Sequence, residues 1–66
     1  MAKKKLTPEI RKAIVRDILN TRDFCGNERA TMREWKAEYD ISEKAEFEIV
    51  EAVEFEWHEW QEAARA

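Results

Sequence analysis

The feature that most constrains the fold is an uninterrupted stretch, residues 43–65, which contains neither glycine nor proline. When its residues are placed about 100° apart, as in an α-helix, one apolar stripe appears. The stripe consists of Ala45, Ile49, Val50, Val53, Trp57 and Trp60. We therefore predict a helix over about residues 43–63, roughly 30 Å long, with the stripe buried in the core. Shorter elements from the preceding residues must cover most of that length.

A strong helix start lies at Thr7, Pro8 and Glu9. Threonine caps free N–H groups, proline suits the first helical position, and glutamate favours the positive end of the helix dipole. Apolar residues then recur at helical spacing, namely Ile10, Ala13, Ile14, Val15, Ile18 and Leu19. We predict a first helix that ends between residues 20 and 24, before a turn at Gly26.

A second, shorter helix is indicated by Thr31 and Glu34, which have the spacing of a capping box. We predict that Thr31 caps this helix and that the helix ends near Asp40. Its apolar side would consist of Met32, Trp35 and Tyr39. Ser42 is well placed to cap the third helix.

A chain of 66 residues has room for one domain with one modest core. The pattern predicts an all-α fold, a small three-helix bundle with a long C-terminal helix, over residues 7–66. Residues 1–6 would form a basic flexible tail. A domain this small buries only about 60% of the surface of its unfolded chain, so it depends on close packing or on a partner.

The cellular compartment is suggested by what the sequence lacks. Cys25 is the only cysteine, so no intrachain disulfide can form, which fits a reducing environment. No apolar run reaches the roughly 18 residues of a membrane span, and no signal-peptide core follows the N-terminal lysines. We therefore expect a cytoplasmic protein without a membrane partner.

The charge is distributed unevenly along the chain. Residues 1–33 contain nine basic and four acidic residues, a net charge of +5, whereas residues 34–66 contain three basic and eleven acidic residues, a net charge of -8. Two interpretations stay open. The two halves can attract each other within the molecule, or they can present opposite charges to partners.

The stretch from Thr31 to Glu43, TMREWKAEYDISE, resembles the helix–turn–helix domains of repressors and transposases. The resemblance includes a short helix, a Tyr-x-Ile turn and a Ser-Glu start of the next helix. The upstream segment, with Leu6-Thr7-Pro8-Glu9, Arg11 and Ile14-Val15, resembles the supporting helix of such domains. Over about residues 6–53 the resemblance implies a helix–turn–helix-like connection in the bundle, and it implies DNA binding through the helix after the turn.

The sequence departs from that family at positions that matter. The family usually has a small residue at the position of Lys36, glycine at Asp40 and an aliphatic residue at Glu46. The positions that would face DNA bear Glu43, Lys44, Glu46, Phe47 and Glu48. Because several carboxylates would face the phosphate backbone, binding of DNA through this helix is disfavoured.

The main candidate site is therefore the acidic and aromatic face of the third helix. It comprises Phe47, Glu48, Glu51, Phe55, Glu59 and Glu62. Aromatic residues on a polar helix face often anchor protein interfaces. We expect a small regulatory protein that binds a basic protein through this face. Alternatively, the face imitates the charge of DNA and occupies the nucleic-acid-binding site of another protein. A homodimer through Phe47 and Phe55 fits the same pattern, and so does a Phe55 that is simply exposed or is covered by the loop near Phe24.

The alternative is a helix–turn–helix transcriptional regulator that binds nucleic acid through its basic half. The residues for this function are Lys3, Lys4, Lys5, Arg11, Lys12, Arg16 and Arg33. Size and charge split are similar in type to small regulatory proteins of phages and mobile elements.

Catalysis is not expected. His58 has Glu54 and Glu62 four residues to either side, but the chain has no zinc-ligand set, phosphate-binding glycine loop or nucleophile motif. We expect neither an enzyme nor a protein with a metal or other cofactor.

Overall fold

The computed structural model describes residues 2–24 and 26–65. Its three helices are α1 (Pro8–Phe24), α2 (Glu28–Glu38) and α3 (Glu43–Arg65). Two short strands, β1 (Lys4–Lys5) and β2 (Tyr39–Asp40), pair in parallel with Lys4 opposite Tyr39. The prediction of an all-α three-helix bundle is confirmed. Cys25, the single cysteine from which the sequence analysis expected no intrachain disulfide, lies outside the described residues.

The start of α1 is as predicted, because the Ile10 N–H donates to the Thr7 hydroxyl at 3.2 Å. The helix continues to Phe24, the last residue of the predicted range for its end. Gly26 then has a φ of 71°, and its N–H donates to the Thr21 carbonyl at 2.7 Å. Glycine adopts this left-handed conformation without steric cost, which allows the chain to turn directly into α2.

The predicted start of α2 is wrong. The helix begins at Glu28, and its cap is Asn27, whose side chain accepts a hydrogen bond from the Ala30 N–H at 3.4 Å. Asparagine is a strong cap immediately after a glycine turn, so the helix gains about one full turn. Thr31 is therefore inside the helix, where its hydroxyl lies 2.9 Å from that of Thr21 and links α2 to α1.

The start of α3 is confirmed, since the Ala45 N–H donates to the Ser42 hydroxyl at 3.1 Å. In the turn before it, Asp40, where the family usually has glycine, belongs to β2, and no residue other than glycine has a positive φ among the described residues. Lys36 and Glu46, two of the departures from the family, pair with each other, with 3.0 Å between Nζ and Oε1. This ion pair joins α2 to α3.

The predicted tail is joined to the domain at three residues. Lys4 and Lys5 form β1, and the Lys4 ammonium lies 5.9 Å from the centre of the Tyr39 ring. Leu6 packs against the core. Residues 4–6 therefore belong to the fold rather than to a free tail.

The core lies where α1 packs against both other helices, and its buried residues are Ile14, Val15, Ile18, Leu19, Met32, Ile49 and Val53. The prediction that the entire α3 stripe is buried is wrong, because Val50 and Trp60 are each 45% exposed. α1 and α3 run in the same general direction, since Arg11 pairs with Glu48 and Arg22 with Glu54. Residues 58–65 of α3 are exposed throughout, so the shorter α1 does not cover the full length of the stripe.

Candidate functional site

Two grooves run along α3, one on either side of its buried face. The larger, which we call the α1–α3 groove, has a volume of about 1460 Å³, and the buried residues Val15, Leu19 and Ile49 line it. The smaller, the α2–α3 groove, has a volume of about 440 Å³ and is lined in part by Met32 and Val50. The candidate residues from both halves of the sequence are distributed between these grooves and the remaining surface.

The two walls of the α1–α3 groove carry opposite charges. The α1 wall contributes Arg11, Lys12 and Arg16, and the α3 wall contributes Glu48, Glu51, Glu56 and Glu59. Three members of the proposed nucleic-acid set thus face three members of the proposed acidic set. The sequence analysis assigned the basic and the acidic residues to two different candidate sites. The packing of α1 on α3 brings both sets to the same groove.

Arg11 and Glu48 form an ion pair with 3.0 Å between Nη2 and Oε1. Both side chains remain 40–45% exposed, so the pair contributes little to stability. It supports the interpretation in which the basic and acidic halves attract each other. It also means that neither residue is fully free for an outside partner.

The other charged residues of this groove make no ion pair among residues 2–24 and 26–65. They are Lys12 and Arg16 on α1, and Glu51, Glu56 and Glu59 on α3. The groove therefore presents positive and negative side chains on facing walls that are not joined in direct ion pairs within the described residues.

Two aromatic side chains lie on the α3 wall of the same groove. Phe55 is 67% exposed, and Trp60 is 45% exposed. Trp60 is held beside Trp57, with 6.4 Å between the ring centres. The sequence analysis assigned Trp60 to the core and so missed it as a site residue, although its position near the C-terminal end of a stripe longer than α1 was a usable signal. Phe24 is 84% exposed, so its side chain does not pack over Phe55 as one of the alternatives in the sequence analysis required.

Two members of the predicted acidic and aromatic face lie outside the α1–α3 groove. Phe47 is 63% exposed and lines neither groove. Glu62 lies 3.6 Å from His58 Nε2, and both side chains are largely exposed. The predicted face thus continues onto open surface beyond the groove, where α3 is solvated.

The proposed basic set is divided in a similar way. Arg33 lines the α2–α3 groove together with Arg29, whereas Arg11, Lys12 and Arg16 line the α1–α3 groove. Lys4 and Lys5 lie in β1, and Lys3 is exposed before it. These cations belong to three separate parts of the described structure.

Arg22 connects all three helices. Its guanidinium donates to both carboxylate oxygens of Glu28 on α2 and to Glu54 Oε1 on α3 at 2.5 Å. It also lies 5.4 Å from the centre of the Trp57 ring. The hydrogen bonds to Glu28 and then to Glu54 raise the pKa of Arg22 above its ordinary value. The hydrogen bond from Arg22 lowers the pKa of Glu54.

In the part of the chain that the structure describes, no group of three or more His, Cys, Asp or Glu residues is placed to hold a metal ion. None of the described helices is long and apolar enough to cross a membrane. Binding of a macromolecule by complementary charge and aromatic contact is what the α1–α3 groove can do chemically.

Comparison with known proteins gives no assignment, because no family model, curated protein or solved structure matches the chain. The resemblance to helix–turn–helix domains therefore stays a prediction. The site has to be interpreted from its own residues.

Proposed function

We propose that this protein is a small non-enzymatic interaction protein of the cytoplasm that binds a protein partner through the α3 wall of the α1–α3 groove. The observation that supports this best is the environment of Phe55. It is 67% exposed and lies on the wall that also bears Glu51 and Glu59, which have no cationic partner in residues 2–24 or 26–65. An aromatic anchor beside free carboxylates suits a basic, amphipathic segment.

The aromatic part of this site supplies affinity. A phenylalanine side chain has at least about 150 Å² to bury, of which roughly two thirds is still exposed at Phe55. At about 25 cal/mol per Å², covering that surface contributes about 2–3 kcal/mol to binding. Trp60 lies on the same wall and enlarges the apolar contact.

The charged part of the site selects the partner. Residues 34–66 carry a net charge of -8, and three carboxylates on the Phe55 wall, those of Glu51, Glu56 and Glu59, make no ion pair within the described residues. Complementary charge accelerates encounter and disfavours acidic partners. A lysine- and arginine-rich protein surface, including one that ordinarily holds nucleic acid, meets this requirement.

The decisive experiment compares capture by Phe55→Ala with capture by Phe47→Ala. These two phenylalanines lie on the same helix and are similarly exposed, at 67% and 63%, but only Phe55 lines the groove. Immobilised protein is used to capture partners from a cytosolic extract, and the affinity for the recovered basic protein is then measured. We expect at least a tenfold loss for Phe55→Ala and less than a twofold change for Phe47→Ala, with unchanged helical content. Equal losses in the two variants would refute the site.

Charge is tested separately with Glu51→Lys and Glu59→Lys. We expect both to weaken capture of the basic partner and to reduce its dependence on salt. The same preparations are tested for a mobility shift of duplex DNA. A shift by the wild-type protein that weakens with salt and is lost in Lys12→Ala/Arg16→Ala would instead favour the nucleic-acid alternative.

A further inference from the structure

We infer that a second copy of this chain occupies the α1–α3 groove, so that the protein forms a two-fold symmetric dimer. The inference rests on the proposed function, because it identifies a partner for the same groove. The partner surface is the α1 wall of the second copy, whose Lys12 and Arg16 would contact the acidic wall of α3.

The first argument is that the groove is complementary to itself. One wall offers Lys12 and Arg16, and the facing wall offers Glu51 and Glu59. These four residues form no ion pair within the described part of the chain. A bound copy supplies an acidic wall to the free cations and a basic wall to the free carboxylates at the same time. A partner that is only basic would satisfy just one wall.

Symmetry then selects one arrangement. A two-fold axis parallel to the groove places α1 of each copy on α3 of the other, so that every charged wall meets the opposite charge. An axis across the groove would place like walls together and is disfavoured. Because the same patch is used by both copies, the contact closes at two subunits.

The dimensions of the molecule leave room for such a contact. The molecule measures 47 × 22 × 17 Å, and the groove lies between its two longest helices, α1 and α3.

The apolar residues at the centre complete the interface. Phe55 and Trp60 of each copy would be covered, which removes the two most exposed aromatics of the groove from water. The core of the single chain contains seven buried residues within 2–24 and 26–65, so a shared apolar layer would enlarge it.

The first test measures the mass of the full chain by analytical ultracentrifugation from about 1 μM to 1 mM, a range that covers typical dimer affinities. We expect a dimer that dissociates on dilution, dissociates more readily in high salt, and is weakened at least tenfold by Phe55→Ala but not by Phe47→Ala. A wild-type chain that stays monomeric at the highest concentration in low salt would overturn the inference. So would a dimer that responds to Phe47→Ala and not to Phe55→Ala.

The second test exchanges the charges of the walls. Lys12→Glu/Arg16→Glu makes both walls acidic, and Glu51→Lys/Glu56→Lys/Glu59→Lys makes both walls basic. We expect each variant alone to be monomeric and an equimolar mixture to form a heterodimer. Failure of the mixture to associate, with each variant still helical, would contradict the two-fold arrangement.

The experiments distinguish failure of the dimer from failure of the proposed function. A monomeric wild-type chain whose capture of a basic protein depends on Phe55 would remove the dimer and leave the proposed function. A dimer with the expected charge-exchange behaviour, from which no basic protein is captured even after dissociation, would leave the second copy as the partner of the groove.

Discussion

Replacement of Arg22 by alanine is the perturbation for which the structure gives the clearest magnitude. The side chain is 19% exposed and joins α1 to Glu28 on α2 and to Glu54 and Trp57 on α3. No other described side chain is seen to contact both other helices by polar or cation–π interactions. Its removal therefore loosens both packing contacts of α1 at once.

The expected loss can be estimated from these contacts. The two-pronged hydrogen bond to the partly buried Glu28 contributes about 1 kcal/mol. The cation–π contact with Trp57 adds about 0.5–1 kcal/mol, and the arginine stem adds packing. Glu54 is 60% exposed, and solvent screens its interaction. We expect Arg22→Ala to lower the free energy of unfolding by about 2 kcal/mol, a large part of the roughly 3–10 kcal/mol typical of a chain this size.

The assay is urea unfolding followed by circular dichroism and by tryptophan fluorescence, at concentrations where the protein is monomeric. Thermal unfolding should show a Tm lower by roughly 10 °C. Arg29→Ala is the matched control, since Arg29 is exposed and makes no ion pair within the described residues, and it should change stability by less than about 0.5 kcal/mol. If Arg22→Ala were as mild as Arg29→Ala, the reasoning that the Arg22 contacts hold the helices together would be refuted.

Four further changes test other parts of the account in the same unfolding assay. Ser42→Ala removes the cap of α3 and should cost about 1 kcal/mol. Gly26→Ala should cost about 1 kcal/mol although no atom would crowd the new methyl group, because φ is 71° there. Leu19→Ala leaves a cavity in the core and should cost about 2–5 kcal/mol. Because Arg22 lowers the pKa of Glu54, their interaction stabilises the fold above the ordinary glutamate pKa and is lost as the pH falls through the lower folded value. The stability difference between wild type and Glu54→Gln should therefore disappear in acid, and a difference that persists there would contradict the ion pair.

Local signals in the sequence predicted the helices well. Thr7 and Ser42 cap α1 and α3 as expected, because capping depends on groups within one turn of the chain. The start of α2 was mistaken for a related reason. Both Asn27 and Thr31 are competent caps, and the choice between them depends on the Gly26 turn and on the contact between Thr31 and Thr21.

The candidate site was less predictable than the helices. Helical periodicity identified Phe55 and its glutamates as an exposed face, and the structure places that phenylalanine at 67% exposure. Periodicity alone could not show that Trp60 joins Phe55, because the position where α1 ends decides how much of the α3 stripe is covered. It could not show that Phe47 lies outside the groove either.

The sequence by itself determined the number of helices, the long glycine- and proline-free α3, and the opposite charges of the two halves, since each follows from local propensity and composition. Only the tertiary structure decided that Lys12 and Arg16 would face Glu51 and Glu59 across one groove. These residues are far apart in the chain, and their meeting depends on the direction and crossing of α1 and α3. That packing arrangement is a property of the whole core, and it turned two separate candidate surfaces into a single site with two oppositely charged walls.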